Sequence, residues 1–109
     1  MTPVEAVVCL VTAPPADARS LARALVERGL VACANVIDGV MSVYRWQDAV
    51  QSDEESLLVL KTTRAALAEL ERALGELHPY DTFELVALEI AAGSAPYLDW
   101  IAGAVAPPR

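Results

Sequence analysis

An α+β fold with one antiparallel sheet and two helices on one of its faces is what this chain of 109 residues predicts. Three observations carry that expectation. Apolar runs of strand length, at Glu5–Thr12, Glu55–Thr62 and Leu85–Ile90, alternate with two stretches whose apolar residues recur at helical spacing. Punctuating residues fall between them: Pro14-Pro15, Gly29, Asp38-Gly39 and His78-Pro79. The chain has no linker, repeat or low-complexity tract except its Ala106-Pro107-Pro108-Arg109 tail, which is expected to fray. One domain spanning 1–109 therefore accounts for the whole sequence.

Each element has a local reason. Glu5 to Thr12 is rich in Val and Leu and reads as a buried strand. Pro14-Pro15 ends it and opens a helix, since proline lacks only an N–H that the first turn leaves unpaired anyway. Ala18, Leu21, Ala22, Leu25 and Val26 make the apolar stripe of that helix, with Arg19, Arg23, Glu27 and Arg28 off it. Gly29 is the expected C-terminal stop. Leu30 to Ile37 is a second strand, and Val40 to Trp46 continues in extended character. Asp38-Gly39 reads two ways. It is a hairpin signal by itself, or a bulge inside one long strand whose turn lies near Gln47-Asp48-Ala49. Periodicity leaves both open. Leu57-Leu58-Val59-Leu60 marks the third strand. Thr63 is placed to cap a second helix with Leu67, Leu70, Leu74 and Leu77 on one face. Leu85 to Ile90 is the fourth strand, and Ser94 followed by Pro96 starts a short last helix carrying Tyr97, Trp100 and Ile101. The order β-α-β-β-α-β plus a terminal helix is the split βαβ, or ferredoxin-like, plan.

Composition excludes some functions. Fifteen acidic against eight basic residues give a net charge of −7. Nucleic acid and anionic membranes are poor partners for such a surface. The start, Met1-Thr2-Pro3-Val4-Glu5, lacks the basic and apolar regions of a secretory signal, so a cytoplasmic protein with Cys9 and Cys33 reduced is expected. Apolar residues make up 55% of the chain, high for a small domain with much surface per residue. Part of that surface is expected to be covered by further copies of the chain.

The one histidine sits in Leu77-His78-Pro79-Tyr80-Asp81-Thr82-Phe83-Glu84. Pro79 disfavours helix at His78, so an imidazole, a phenol and a carboxylate are held at a helix-to-strand corner. They are suited to a metal or a small ligand. The structural alternative is as good: His78 closes the helix and Glu84 is a solvated carboxylate.

In order and spacing, several segments together resemble the CutA family of divalent-cation tolerance proteins. They are Val11-Thr12-Ala13-Pro14, Leu30-Val31-Ala32-Cys33-Ala34-Asn35-Val36-Ile37, Ser42-Val43-Tyr44-Arg45-Trp46, Leu60-Lys61-Thr62, His78-Pro79-Tyr80 with Glu84, and Tyr97-Leu98-Asp99-Trp100. The resemblance implies a ferredoxin-like fold, a homotrimer, a long bent second strand that favours the bulge at Asp38-Gly39, and a role in the response to metal ions, often copper. It also implies a likeness to the nitrogen-regulatory signal proteins, whose ligands sit between subunits. Three positions depart from the family pattern: Phe83 replaces a usual proline, Asp48 a usual glycine, and Val11 a cysteine that some members carry.

These readings converge on weak copper(II) binding, with His78 and Glu84 as ligands, since copper(II) accepts imidazole and carboxylate and two donors make only a weak site. The ring must be deprotonated to bind, so affinity should fall on acidification. No obligatory cofactor is implied. Two alternatives stand beside it. One is a small ligand held in an inter-subunit cleft by Tyr44, Trp46, Lys61 and Tyr80. The other is a structural platform for a protein partner. Cys9 and Cys33 read as small buried hydrophobes, too far apart for a disulfide across an intervening strand. Catalysis would need one of these thiols activated by His78, and the topology separates Cys33 from it, so the chain reads as non-enzymatic.

Overall fold

The computed structural model describes residues 4–106. Its elements are β1 (Ala6–Ala13), α1 (Pro15–Glu27), β2 (Cys33–Trp46), β3 (Ala49–Thr63), α2 (Leu67–Leu77), β4 (Val86–Glu89) and α3 (Ala95–Ala104), with a 3₁₀ turn at Arg64–Ala66 leading into α2. The sheet order is β2-β3-β1-β4, antiparallel throughout. This is the ferredoxin-like arrangement. The tail residues Pro107 to Arg109 lie outside the described residues, as do Met1 to Pro3.

The core lies between the helices and one face of the sheet. Val7, Cys9, Val11 and Ala13 alternate inward from β1, and Leu58 and Leu60 from β3. They meet Leu21 and Leu25 of α1 and Leu70 and Leu74 of α2. The period-two strands and the helical stripes therefore bury one another, which is the main favourable term in the fold.

α1 ends as its sequence implies. Gly29 has φ +72°, its N–H donates to the Val26 carbonyl at 3.0 Å, and the Leu30 N–H donates to the Leu25 carbonyl at 3.0 Å. This pair of bonds is the Schellman closure, which needs a left-handed residue at that point. A Cβ on Gly29 would also stand 2.9 Å from that of Ala106. Gly29→Ala is expected to cost about 1–2 kcal/mol, from the left-handed backbone of a non-glycine residue, in a urea unfolding titration.

The turn that periodicity left open is at Gln47-Asp48, both with positive φ (51° and 63°). That is the geometry of a tight hairpin turn matched to strand twist. Asp38 and Gly39 stand instead where the register shifts between Ile37↔Leu57 and Val40↔Glu55, so two residues oppose the single Ser56. Gly39 takes the positive φ that this bulge needs (78°). Asp38 fastens the bulge. It accepts from Arg19 of α1 and from the Ser56 hydroxyl, both at 2.7 Å, and these bonds hold its carboxyl below the ordinary range.

Two expectations need correction. β3 begins at Ala49, six residues before the expected start at Glu55. Gln51 to Glu54 are polar and exposed, so no burial pattern marks them as strand. Thr63 does not cap a helix with its side chain; it is the last residue of β3, and the 3₁₀ turn intervenes before α2. Ser94, by contrast, does cap α3, its hydroxyl accepting from the Tyr97 N–H at 3.3 Å.

The two long strands give the molecule its shape. β1 runs beside β3 only as far as Ala13↔Ser56. Beyond that, Val40–Trp46 and Ala49–Glu55 form a two-stranded ribbon with no third strand among the described residues, and the molecule measures 44 × 26 × 22 Å.

Candidate functional site

A cleft of about 710 Å³ opens between this ribbon and the segment that follows α2. Met41 to Tyr44 and Trp46 form one wall, Tyr80 to Thr82 and Glu84 the other, and Thr12 and Glu55 close the base. Glu55 lies on the face of β3 opposite Ser56 and Leu58, yet it too is buried, with the Tyr80 hydroxyl against its carboxylate.

His78 supports the far side of this cleft. The ring is 7% exposed and stacks against Phe83 and, more steeply, Tyr80, with centroids 5.4 and 4.9 Å away. Nε2 lies 2.8 Å from the Thr12 carbonyl, and Nδ1 accepts from the Tyr80 N–H at 3.1 Å. A carbonyl only accepts and an N–H only donates, so the partners fix the tautomer, with the ring hydrogen on Nε2. The ring thereby ties the end of α2 to β1 and sets the direction of the chain into Tyr80, while the helix itself ends because His78, ahead of Pro79, is extended (φ −75°, ψ 138°). The ring does not bond the last carbonyls of α2, as the structural alternative had it; both nitrogens are taken by backbone groups of Thr12 and Tyr80. Ligation of a metal would require breaking one of these bonds.

The remaining candidates divide. Tyr44, Trp46, Tyr80 and Glu84 all line the cleft. Lys61 does not: it lies level with Val8 and Cys33, and its Nζ donates to the Asn35 Oδ1. Thr12 is four residues further along β1, roughly 13 Å away. Cys33 is on the same rung as Lys61 but one strand further from β1, so it too is far from the His78 ring at Thr12. Cys9 is buried in the core, which pushes its thiol up to about 11 and makes it a poor nucleophile or ligand. Both cysteines are free.

Sequence reasoning missed Glu55 and Asp53. The Tyr80 hydroxyl donates to Glu55 Oε2 at 3.2 Å, and the Tyr44 hydroxyl donates to Asp53. The Asp53 bond raises the Tyr44 phenol to about 12. Burial, then the Glu55 charge, raises Tyr80, and the same two causes lift the Glu84 carboxyl above the ordinary carboxylate value. Glu55 is picked out by a contact with Tyr80, 25 residues away, and periodicity does not reveal it. Among the described residues no three His, Cys, Asp or Glu side chains are gathered so as to hold a metal ion. No described helix is long and apolar enough to cross a membrane.

The model of the family described as CutA1 divalent ion tolerance protein matches residues 7–104. The divalent-cation tolerance protein CutA of Thermus thermophilus is 48% identical over 95 residues, covering 86% of this chain and 92% of that one. Among solved structures, CutA1 from Oryza sativa superposes with a TM-score of 0.91 at 36% identity, over 97% of this chain and 98% of that chain. A PII-like protein CutA from Nostoc sp. PCC 7120, in apo form, does so with 0.89 at 33%, over 94% and 99%.

Proposed function

The chain belongs to the CutA1 divalent ion tolerance family, and on that premise we propose that it acts in the response to divalent metal ions as a cytoplasmic homotrimer that binds copper(II) weakly. The observation that carries the assembly is the bare face of the sheet. Both helices that build the core pack on one side. On the other side Ile37, Val86 and Leu88 are exposed, and Tyr44 and Trp46 continue that face along the ribbon, whose reverse face exposes Met41, Val43 and Val50. A soluble monomer rarely leaves so much contiguous apolar surface in water, and an isolated two-stranded ribbon is marginal by itself. Symmetric copies would cover both, and would also protect the open edges at β2 and β4.

The metal reading takes His78 and Glu84 as ligands. Glu84 is an exposed carboxylate on the cleft rim, and His78 stands behind Tyr80. For the ring to bind, one nitrogen must give up its backbone partner, either Nδ1 the Tyr80 N–H or, after losing its hydrogen, Nε2 the Thr12 carbonyl. Orphaning such a group costs about 1–3 kcal/mol, which lowers affinity by roughly one to two orders of magnitude. Weak copper binding is therefore the expectation. Sedimentation equilibrium should give three times the chain mass. Copper titration should give a low affinity that drops at least several-fold in Glu84→Gln and His78→Ala. A monomer at micromolar concentration would overturn the assembly, and equal copper affinity in all three proteins would overturn the site.

A further inference from the structure

The sheet face that neighbouring copies would cover is mostly apolar, yet β3 places two charges on it. Glu55, Leu57, Val59 and Lys61 alternate away from the core, opposite Ser56, Leu58 and Leu60. Glu55 stands at the root of the ribbon and Lys61 near the other end of the strand. Six residues of extended chain separate them by roughly 20 Å, so they do not meet within one chain.

Neither finds an opposite charge in its own chain. Glu55 is 6% exposed and makes no ion pair among the described residues. The Tyr80 phenol at Oε2 is its one side-chain hydrogen bond there. Lys61 is half-buried and donates to the neutral amide oxygen of Asn35. Arg19, Arg23, Arg28, Arg64 and Arg72 each already hold a carboxylate. Arg45 holds none among the described residues, but it alternates with Tyr44 and so lies on the reverse face of the ribbon.

Covering this face takes both charges out of water. An unpaired buried charge is strongly destabilising, whereas a pair that keeps further hydrogen bonds is tolerated. The phenol on Glu55 and the amide on Lys61 are such further bonds. Because the two charges stand at opposite ends of one face, a head-to-tail contact can lay the lysine end of one copy on the glutamate end of the next. Around a closed ring each copy then gives one ammonium and receives one. We propose that in the assembly the partner subunit's Lys61 pairs with Glu55 and completes the base of the cleft beside Tyr80. The cleft is thus a site built by two copies, and complementary charge fixes how they are joined.

This pair rests on the homotrimer proposed above, and the test separates the two. The wild-type assembly is treated with a water-soluble carbodiimide, which joins an amine to a touching carboxylate as an amide, then digested for mass spectrometry. A Lys61–Glu55 amide is expected, and at roughly 20 Å within one chain it forms only between copies. Glu55→Gln keeps an acceptor for Tyr80, and Lys61→Met keeps the apolar stem. Each should raise the concentration at which the trimer dissociates at least tenfold, read by sedimentation over a dilution series. The double variant should lose far less than the product of the two single effects. A stable trimer in which the two effects multiply in full overturns the pair and leaves the assembly standing. If a variant does not fold, a stable wild-type trimer without the amide does the same. A wild-type monomer overturns the assembly, and the pair with it.

Discussion

Replacing Trp46 by alanine is expected to break the assembly while leaving the single chain folded. Trp46 is the last residue of β2, opposite Ala49 across the hairpin turn, and it is 49% exposed in one chain. A half-exposed indole hides roughly half of its area and contributes about 2–3 kcal/mol to that chain's own stability. Around it Val43 and Val50 are 66% and 67% exposed, so little within the chain holds the ribbon end. If a neighbouring copy completes this burial, truncation costs about 3–5 kcal/mol per interface, as at other buried aromatic sites. The concentration at which the assembly dissociates should then rise at least a hundredfold, since each 1.4 kcal/mol is about tenfold. Sedimentation over a dilution series reads this directly. A variant that melts earlier but resists dilution as wild type does would assign Trp46 to the chain's own core.

His78→Ala is expected to destabilise the protein by about 3 kcal/mol with no metal present. The substitution orphans the Thr12 carbonyl and the Tyr80 N–H, at about 1–3 kcal/mol for a buried group, less where cleft water can enter. It also removes the ring contacts to Phe83 and Tyr80, worth about 0.5–1.5 kcal/mol. His78→Asn should recover part of the loss, because a short amide can still accept from the Tyr80 N–H but cannot span to Thr12. Denaturant titrations at one fixed protein concentration keep the assembly contribution constant. A loss under 1 kcal/mol would mean that the ring does not hold the corner together. Because the same residue is a proposed copper ligand, copper affinity must be compared under conditions where both proteins are folded.

Particular residues show how far the chain could be read in advance. Gly29 announced the end of α1, and Ser94 the start of α3, because both act through bonds to residues within five positions. The continuous apolar run Leu57-Leu58-Val59-Leu60 identified β3, since one face of the strand is buried and the other half-covered. His78, Tyr80, Glu84, Tyr44 and Trp46 were legible as candidates, and the last four do line one cleft. Lys61 was not separable from them, as its distance from the cleft depends on which strands pair and in what register. The outer half of β3 was invisible: Gln51 to Glu54 face solvent, and solvent imposes no period.

Whatever could be read before folding is therefore local or periodic: the helix ends, the order of elements, the core stripes and the polar corner at His78. Long-range packing made the remaining choices. It selected the bulge over a turn at Asp38-Gly39, because Arg19 from α1 and Ser56 from β3 both converge on Asp38. It also brought Tyr80 against Glu55, 25 residues away, and so set a buried carboxylate with no ion-pair partner among the described residues at the base of the cleft. It also gave both nitrogens of His78 to backbone partners, one of them 66 residues away in the chain. Contacts over such separations leave no spacing in a sequence, because they depend on which strands pair and on where the register slips.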